Sequence, residues 1–364
     1  MDAIEAYNAI CALVPVDRKA ADPVDYRDVL SSSLMGYMVI VKQMSKDGIL
    51  DDVEAKEIRR ICEKLKDIVK SEYQGLHSTA FYRLSNLLRG KNDKPALGDS
   101  ILMYTFKANE KPLYRMREME KRQDMSYKEL FHIPINKRGI VKTNRYSSPG
   151  YPCLYLGTSI YACWEELGRP PMNKSMVARL GNGVDLHLID LRIPTFDQYE
   201  KHYKAYMKAF PLIIACSVKV KEQEANYKPE YSIPQLMMEY VINNNVYRKT
   251  KIPIAGIYYT SVFKNDDYGF GIDKFENIAI PVRRPLSSKK YCRKLCEIFM
   301  MTRSTCDEME QMRSGGYIRM EYDKKKEAMV YHGNIGEYEY SSFGYLEKRL
   351  NDSKFFPLIP VDDK

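Results

Sequence analysis

The stretch Val53-Glu54-Ala55-Lys56-Glu57-Ile58-Arg59-Arg60-Ile61-Cys62-Glu63-Lys64-Leu65-Lys66-Asp67-Ile68-Val69 reads as one amphipathic helix. Val53, Ile58, Ile61, Leu65 and Ile68 recur at helical spacing and leave the charged residues to the opposite face. Upstream, Leu30, Leu34, Met38 and Val41 repeat the period; downstream, Tyr82, Leu84, Leu87 and Leu88 do the same. Asp51 and Asp52 stand where an N-cap belongs, and Gly90 where a C-cap belongs. Residues 24–92 therefore predict a small helical bundle. The polar run from Gly90 to Asp99 reads as a hinge and a domain boundary.

Beyond about residue 110 the pattern changes. Val184-Asp185-Leu186-His187-Leu188-Ile189 alternates with period two, and Ala255-Gly256-Ile257-Tyr258-Tyr259-Thr260-Ser261-Val262 is rich in β-branched and aromatic residues. Ala279-Ile280-Pro281-Val282 ends another short strand, and Tyr317-Ile318-Arg319-Met320 precedes a Tyr-rich tail. Helical stretches fall at 159–167, 201–210, 234–244 and 286–310. Strands and helices without regular βαβ spacing indicate an α+β fold, a helical bundle followed by a mixed sheet with helices. Three parts follow: a helical domain over 1–99, a sheet domain over 100–285, and a helical, Tyr-rich extension over 286–364.

Composition narrows the classes of function. The 364 residues carry 57 Lys+Arg against 48 Asp+Glu, a net charge of +9, which suits a pyrophosphate substrate as well as a nucleic-acid surface. The basic tracts Lys289-Lys290, Arg293-Lys294 and Lys324-Lys325-Lys326 are short and interleaved with Glu297, Glu321 and Asp323, as on a solvated face. Nucleic acid is therefore not an expected partner. Eight scattered cysteines without a CxxC argue against a zinc ribbon or a disulfide framework. Five dispersed histidines give no metal-ligand spacing, so no metal site is expected. No apolar run has the length of a membrane span, and the protein is expected in the cytoplasm.

The chemistry concentrates in Arg145-Tyr146-Ser147-Ser148-Pro149-Gly150-Tyr151-Pro152-Cys153-Leu154-Tyr155-Leu156-Gly157-Thr158-Ser159 and the following Trp164-Glu165-Glu166. Pro149-Gly150 is a turn dipeptide, and Pro152 to Leu156 is a short buried strand. Thr158 or Ser159 caps a helix that places Glu165 about two turns in. There Glu165 shares a face with Tyr161 and Ala162, and the small Ala would leave room for a ligand beside the carboxylate. Glu166 points about 100° away, toward solvent.

From Pro112 to Pro285 the chain resembles the RES-domain family, named for an Arg, a Glu and a Ser, whose studied members consume NAD. The matching signals are Tyr114-Arg115; Arg145-Tyr146-Ser147 before Gly150; Tyr155 followed by Ala162-x-x-Glu165; and Tyr259-Thr260-Ser261. Departures are Ser147, where many short members have Asn, and Pro234-Gln235, where many place their Ser after the Pro. The resemblance implies a fold related to ADP-ribosyltransferases. It implies Arg115, Glu165 and Ser261 as catalytic, and Arg145, Tyr146 and Tyr155 as substrate-binding; Arg117 competes with Arg115. NAD would be the substrate, with no further cofactor. Residues 1–99 resemble the HEPN-like extension of longer members, without an Arg followed four to six residues later by His, so no ribonuclease activity is expected.

The residue kit suits the reaction. Cleaving the nicotinamide–ribose bond expels a neutral base, so the group needing help is the cationic ribose, which a carboxylate stabilises. A planar guanidinium grips phosphate in a way Lys cannot, and Tyr faces hold the flat nicotinamide. The expected function is an NAD glycohydrolase or phosphorylase acting as a toxin or defence effector. A protein ADP-ribosyltransferase and a non-enzymatic partner- or nucleic-acid-binding module stay open. An enzyme that drains NAD must be held off, so an antitoxin or regulatory protein is an expected partner. Residues 1–99 are expected to carry control or a homo-oligomer contact.

Overall fold

The computed structural model describes residues 1–18, 24–89, 97, 102–119, 127–247, 253–264, 271–283, 290–307, 309–310, 338–339 and 341–358. Its helices are α1 (Ala3–Cys11), α2 (Tyr26–Lys46), α3 (Asp52–Tyr73), α4 (His77–Arg89), α5 (Tyr127–Leu130), α6 (Ile160–Glu166), α7 (Phe196–Cys216), α8 (Ser232–Tyr247), α9 (Arg293–Ile298) and α10 (Ser342–Asn351). The strands are β1 (Met103–Phe106), β2 (Leu113–Glu118), β3 (Cys153–Gly157), β4 (Ser175–Asn182), β5 (Leu186–Leu191), β6 (Gly256–Thr260), β7 (Glu276–Pro281), β8 (Phe299–Met301) and β9 (Phe356–Pro357). Helices come first and strands later, an α+β protein as the periodicities predict.

The chain divides into two compact units, and neither is one continuous stretch. The first comprises residues 1–104, 142–148 and 187–262; the second comprises 105–141, 149–186 and 263–364. The expected hinge at 90–99 lies mostly outside the described residues.

In the first unit α1 to α4 pack with α7 and α8. Asp2 and Asp51 form capping boxes with Glu5 and Glu54, and Asp25 caps α2, so α1, α2 and α3 each start with a first-turn N–H met by a side chain. On α3 the stripe Ile58, Ile61, Leu65, Ile68 and Val69 is buried as predicted. Val53 is exposed, because it falls in the first turn, before the stripe comes round to the core. On α2 the buried residue at this turn is Tyr37, one residue before the expected Met38, which is half-buried. Tyr37 donates to Met207 O at 2.6 Å. That carbonyl lies four residues before Pro211, which sits inside α7 and has no N–H to give it. Strands β5 and β6 pair in parallel, from Leu188↔Gly256 to Leu191↔Tyr259.

The second unit is built on an antiparallel sheet in the order β7-β3-β2-β4-β8-β9. β3 and β7 pair from Cys153↔Pro281 to Gly157↔Asn277, and β2 and β4 pair from Leu113↔Leu180 to Glu118↔Ser175. Between β2 and β3 the pairing is confined to Tyr114↔Gly157. The sheet therefore opens between these strands. Tyr114, Met116 and Val177 point into an apolar cluster with Tyr161 and Trp164 of α6 and Phe343, Leu346 and Leu350 of α10. The expected helix over 286–310 is shorter than its periodicity suggests. Among its described residues Arg293–Ile298 is helical and helix returns at 307 and 309–310, but between them Phe299–Met301 turns into a strand because it finds partners on β4, Leu180↔Met301 to Asn182↔Phe299. Lys324–Lys326 and Tyr317–Met320 lie outside the described residues. All eight cysteines are free thiols. Among the described residues no helix is long and apolar enough to cross a membrane.

Candidate functional site

The six residues singled out in the sequence fall into two groups. Arg115, Tyr155 and Glu165 belong to the second unit, and Arg145, Tyr146 and Ser261 to the first.

In the second unit β3 runs directly into α6. Ser159 is the cap, its hydroxyl accepting from Ala162 N at 2.9 Å and donating to Lys274 O at 2.6 Å. Thr158 instead donates to Asp273 O at 2.6 Å. The turn requires Gly157: a Cβ there would meet Cys163 Sγ at 2.8 Å and Ser159 O at 3.0 Å. The thiol also donates to Tyr114 O at 3.3 Å, which ties α6 to β2.

Alternation along β2 sends Arg115 to the face away from Tyr114 and Met116. Its guanidinium reaches the open seam between β2 and β3. Nη1 donates to Tyr155 O at 2.9 Å and Nε to Leu130 O at 3.2 Å. Among the described residues no carboxylate bonds it, and burial pulls its pKa below the ordinary guanidinium value. A half-buried cation satisfied only by carbonyl dipoles is under-compensated and suits an anionic ligand. Tyr155 enters this arrangement through its main-chain oxygen. Arg117 is exposed and donates to Glu129 O at 2.8 Å.

Glu165 is buried, and both of its oxygens are taken. Tyr161 donates its hydroxyl at 2.5 Å, and Arg169 donates Nη2 and Nε at 2.9 and 3.0 Å. The room expected beside Ala162 is therefore filled. Arg169 gets there because it is left-handed, φ +61°, directly after left-handed Gly168. That backbone costs about 1–2 kcal/mol and folds the guanidinium back over Trp164 as well, 5.4 Å from its ring centre. Glu165 and Arg115 share no hydrogen bond or ion pair: Tyr161 and Arg169 hold the one, the carbonyls of Tyr155 and Leu130 the other.

Glu166 occupies the other side of α6. It shares a face with Cys163, three residues earlier, and accepts from Asn277 Nδ2 at 2.9 Å. The Cys163 thiol, pushed up to about 12 by burial, feels Arg115 as a lowering influence and Glu166 as a raising one. The exposed Glu166 was the expected solvent-side residue, yet it is the glutamate on the thiol's side of the helix.

In the first unit Arg145 is buried and donates Nη1 to Cys216 O at 2.8 Å and Val218 O at 3.0 Å, with Tyr231 5.2 Å beneath it. It thus binds the C-terminal end of α7, where carbonyls lack helical partners and the dipole favours a cation. Arg145→Lys is accordingly expected to lower stability by about 1–3 kcal/mol with little change in substrate KM, read by denaturant unfolding beside kinetics. Tyr146 packs on Tyr259, ring centres 4.7 Å apart. Ser261 follows β6 and is fully buried. Sequence reasoning missed Gln235, whose Nε2 lies 3.0–3.1 Å from Thr143 Oγ1, Asn144 O and Ser147 O and holds the Arg145–Ser147 turn. The departure at Pro234-Gln235 was its signal.

Compared with known proteins, the chain is 28% identical over 306 residues to a protein of Bacillus subtilis (strain 168) named "Putative toxin YopC", covering 79% of this chain and 67% of that one. No family model matches the chain. No solved structure matches it.

Proposed function

We propose that this chain is a toxin-type enzyme that cleaves the nicotinamide–ribose bond of NAD. The observation that carries the reading is Arg115, a guanidinium set in an open seam of the sheet and met, among the described residues, by the carbonyls of Tyr155 and Leu130 and by no carboxylate. A dinucleotide supplies the missing negative charge through its pyrophosphate. The next element along the chain from β3 is α6, which brings two carboxylates to the same unit. One of them stabilises the positive charge that develops on the ribose as nicotinamide leaves. Of the two, Glu166 suits the role better, because Glu165 is already neutralised by Arg169. Similarity to a protein named as a toxin supports the coarser half of the reading, and an antitoxin or regulatory partner would follow from it.

The test is direct. Purified protein is incubated with NAD and free nicotinamide is measured. Free ADP-ribose or its phosphate accompanies hydrolysis or phosphorolysis, and labelled protein accompanies ADP-ribosyl transfer. Unchanged NAD sinks the proposal. Arg115→Lys keeps the charge but loses the fork, and should cost about 1.5–3 kcal/mol, roughly ten- to a hundredfold in kcat/KM. Unaltered kinetics in Arg115→Lys would remove Arg115 from the site.

A further inference from the structure

The C-terminal helix α10 lies outside the segment that carries the sequence resemblance, and it is built onto the same unit as β2 and α6. Glu347, in the middle of α10, is buried, and its Oε1 accepts from Ile160 N at 2.7 Å and from Tyr338 Oη at 2.5 Å. Ile160 is the first residue of α6, so its N–H has no partner within the helix. The cap Ser159 meets the N–H of Ala162 and cannot also meet this one. A residue nearly two hundred positions away in sequence supplies the second half of the cap. Burial raises the Glu347 pKa, against the lowering influence of Tyr338, Lys274 and the Ile160 N–H.

Around that contact α10 also touches α6 and β2, the elements that bear Glu165, Glu166 and Arg115. Phe343 packs edge-on against Tyr161, ring centres 5.3 Å apart, and lies 5.2 Å from Trp164. Tyr161 is the residue that bonds Glu165, and Trp164 is the ring beneath Arg169. Asn351, the last residue of α10, accepts from Tyr114 Oη at 2.9 Å through Oδ1 and from Arg179 Nη1 at 2.9 Å through its carbonyl. Tyr114 is the neighbour of Arg115 on β2. Helix α6 has only seven residues, too short to hold its own geometry without tertiary support.

We propose that Glu347 is a positioning residue for the active site, fixing the N-terminus of α6 and so the aim of its glutamates. The inference rests on the reading of α6 as the acidic side of an NAD site. The mechanism needs no contact between Glu347 and substrate. Its carboxylate holds one backbone N–H, and that N–H sets where the helix begins.

The experiment uses the full chain and two variants, Glu347→Leu and Glu347→Gln. Hydrogen exchange is followed over residues 159–167, and kcat and KM for NAD are measured in parallel. Glu347→Leu should speed exchange in 159–167 by about tenfold while β4 and β7 keep their protection. It should also lower kcat by more than it raises KM. Glu347→Gln retains an oxygen acceptor and should restore most of both effects. Unchanged exchange in Glu347→Leu, or a loss of protection spread evenly over β4 and β7, overturns the proposal. So does a kcat unmoved by faster exchange. If the wild-type chain releases no nicotinamide, the NAD reading fails by itself, and the exchange data still decide whether Glu347 holds α6.

Discussion

Glu166→Gln is expected to lower kcat for NAD cleavage by about 10²-fold or more, the scale for removing one preorganised electrostatic group, while KM changes little. The carboxylate matters chiefly in the transition state, when the ribose becomes cationic, so ground-state binding should survive its neutralisation. Glu165→Gln should behave differently. Its amide nitrogen or oxygen must face Arg169 and Tyr161, both donors in the wild type, so at least one donor meets another donor. The cost should appear as about 1–3 kcal/mol of stability, with Arg169 limiting it because that side chain can turn to water. Thermal unfolding and steady-state kinetics on both variants separate the roles. A stable Glu165→Gln protein with lost turnover would return the role to Glu165. Full activity in both would empty α6 of catalytic duty.

Gly157→Ala is expected to destabilise the second unit by about 1–3 kcal/mol, the cost of overpacking a filled site. The added methyl would lie 2.8 Å from Cys163 Sγ, 3.0 Å from Ser159 O and 3.3 Å from Asn277 Oδ1. The first two belong to α6 and its cap, and the third is the amide oxygen of Asn277, whose nitrogen donates to Glu166. The strain thus falls on the geometry of the helix as well as on stability, and kcat should drop with it. Adding Cys163→Ala removes the sulfur contact but leaves the carbonyl of Ser159 in place, so recovery should be partial. The measurement is the unfolding midpoint of the single and double variants. An unchanged midpoint in Gly157→Ala would mean that the β3–α6 turn relaxes freely.

What the sequence made legible was local. The stripe Ile58 to Val69, a cap at Asp51 or Asp52 and another at Thr158 or Ser159, and the shared face of Tyr161 and Glu165 all depend on residues within one or two turns of each other, where helical spacing dictates contact; the structure selects Asp51 and Ser159. β4 was hidden because a strand covered on both faces shows no alternation: nearly all of Ser175 to Asn182 is buried. β8 was read as helix because its pairing with β4 is non-local. At the site, Arg169 escaped notice because it reaches Glu165 through a left-handed backbone that nothing in Gly168-Arg169 spells out. Gln235 and Glu347 act over 91 and 187 residues of chain. Arg145 was recognised by motif, yet its job at the end of α7 depends on two carbonyls that motif reading cannot see.

The hydroxyl of Tyr37 on the carbonyl of Met207 bears on how such a chain can be inherited. Pro211 withdraws a donor from the middle of α7, and the replacement comes from α2, 170 residues earlier in the gene. The early helix and the later one are thus matched to each other at this contact. A lineage that exchanged its leading segment for an unrelated one would leave a bare carbonyl in a buried helix, a penalty of about 1–3 kcal/mol at the first step. Proline at 211 and tyrosine at 37 should therefore travel together through descent, as two halves of one character.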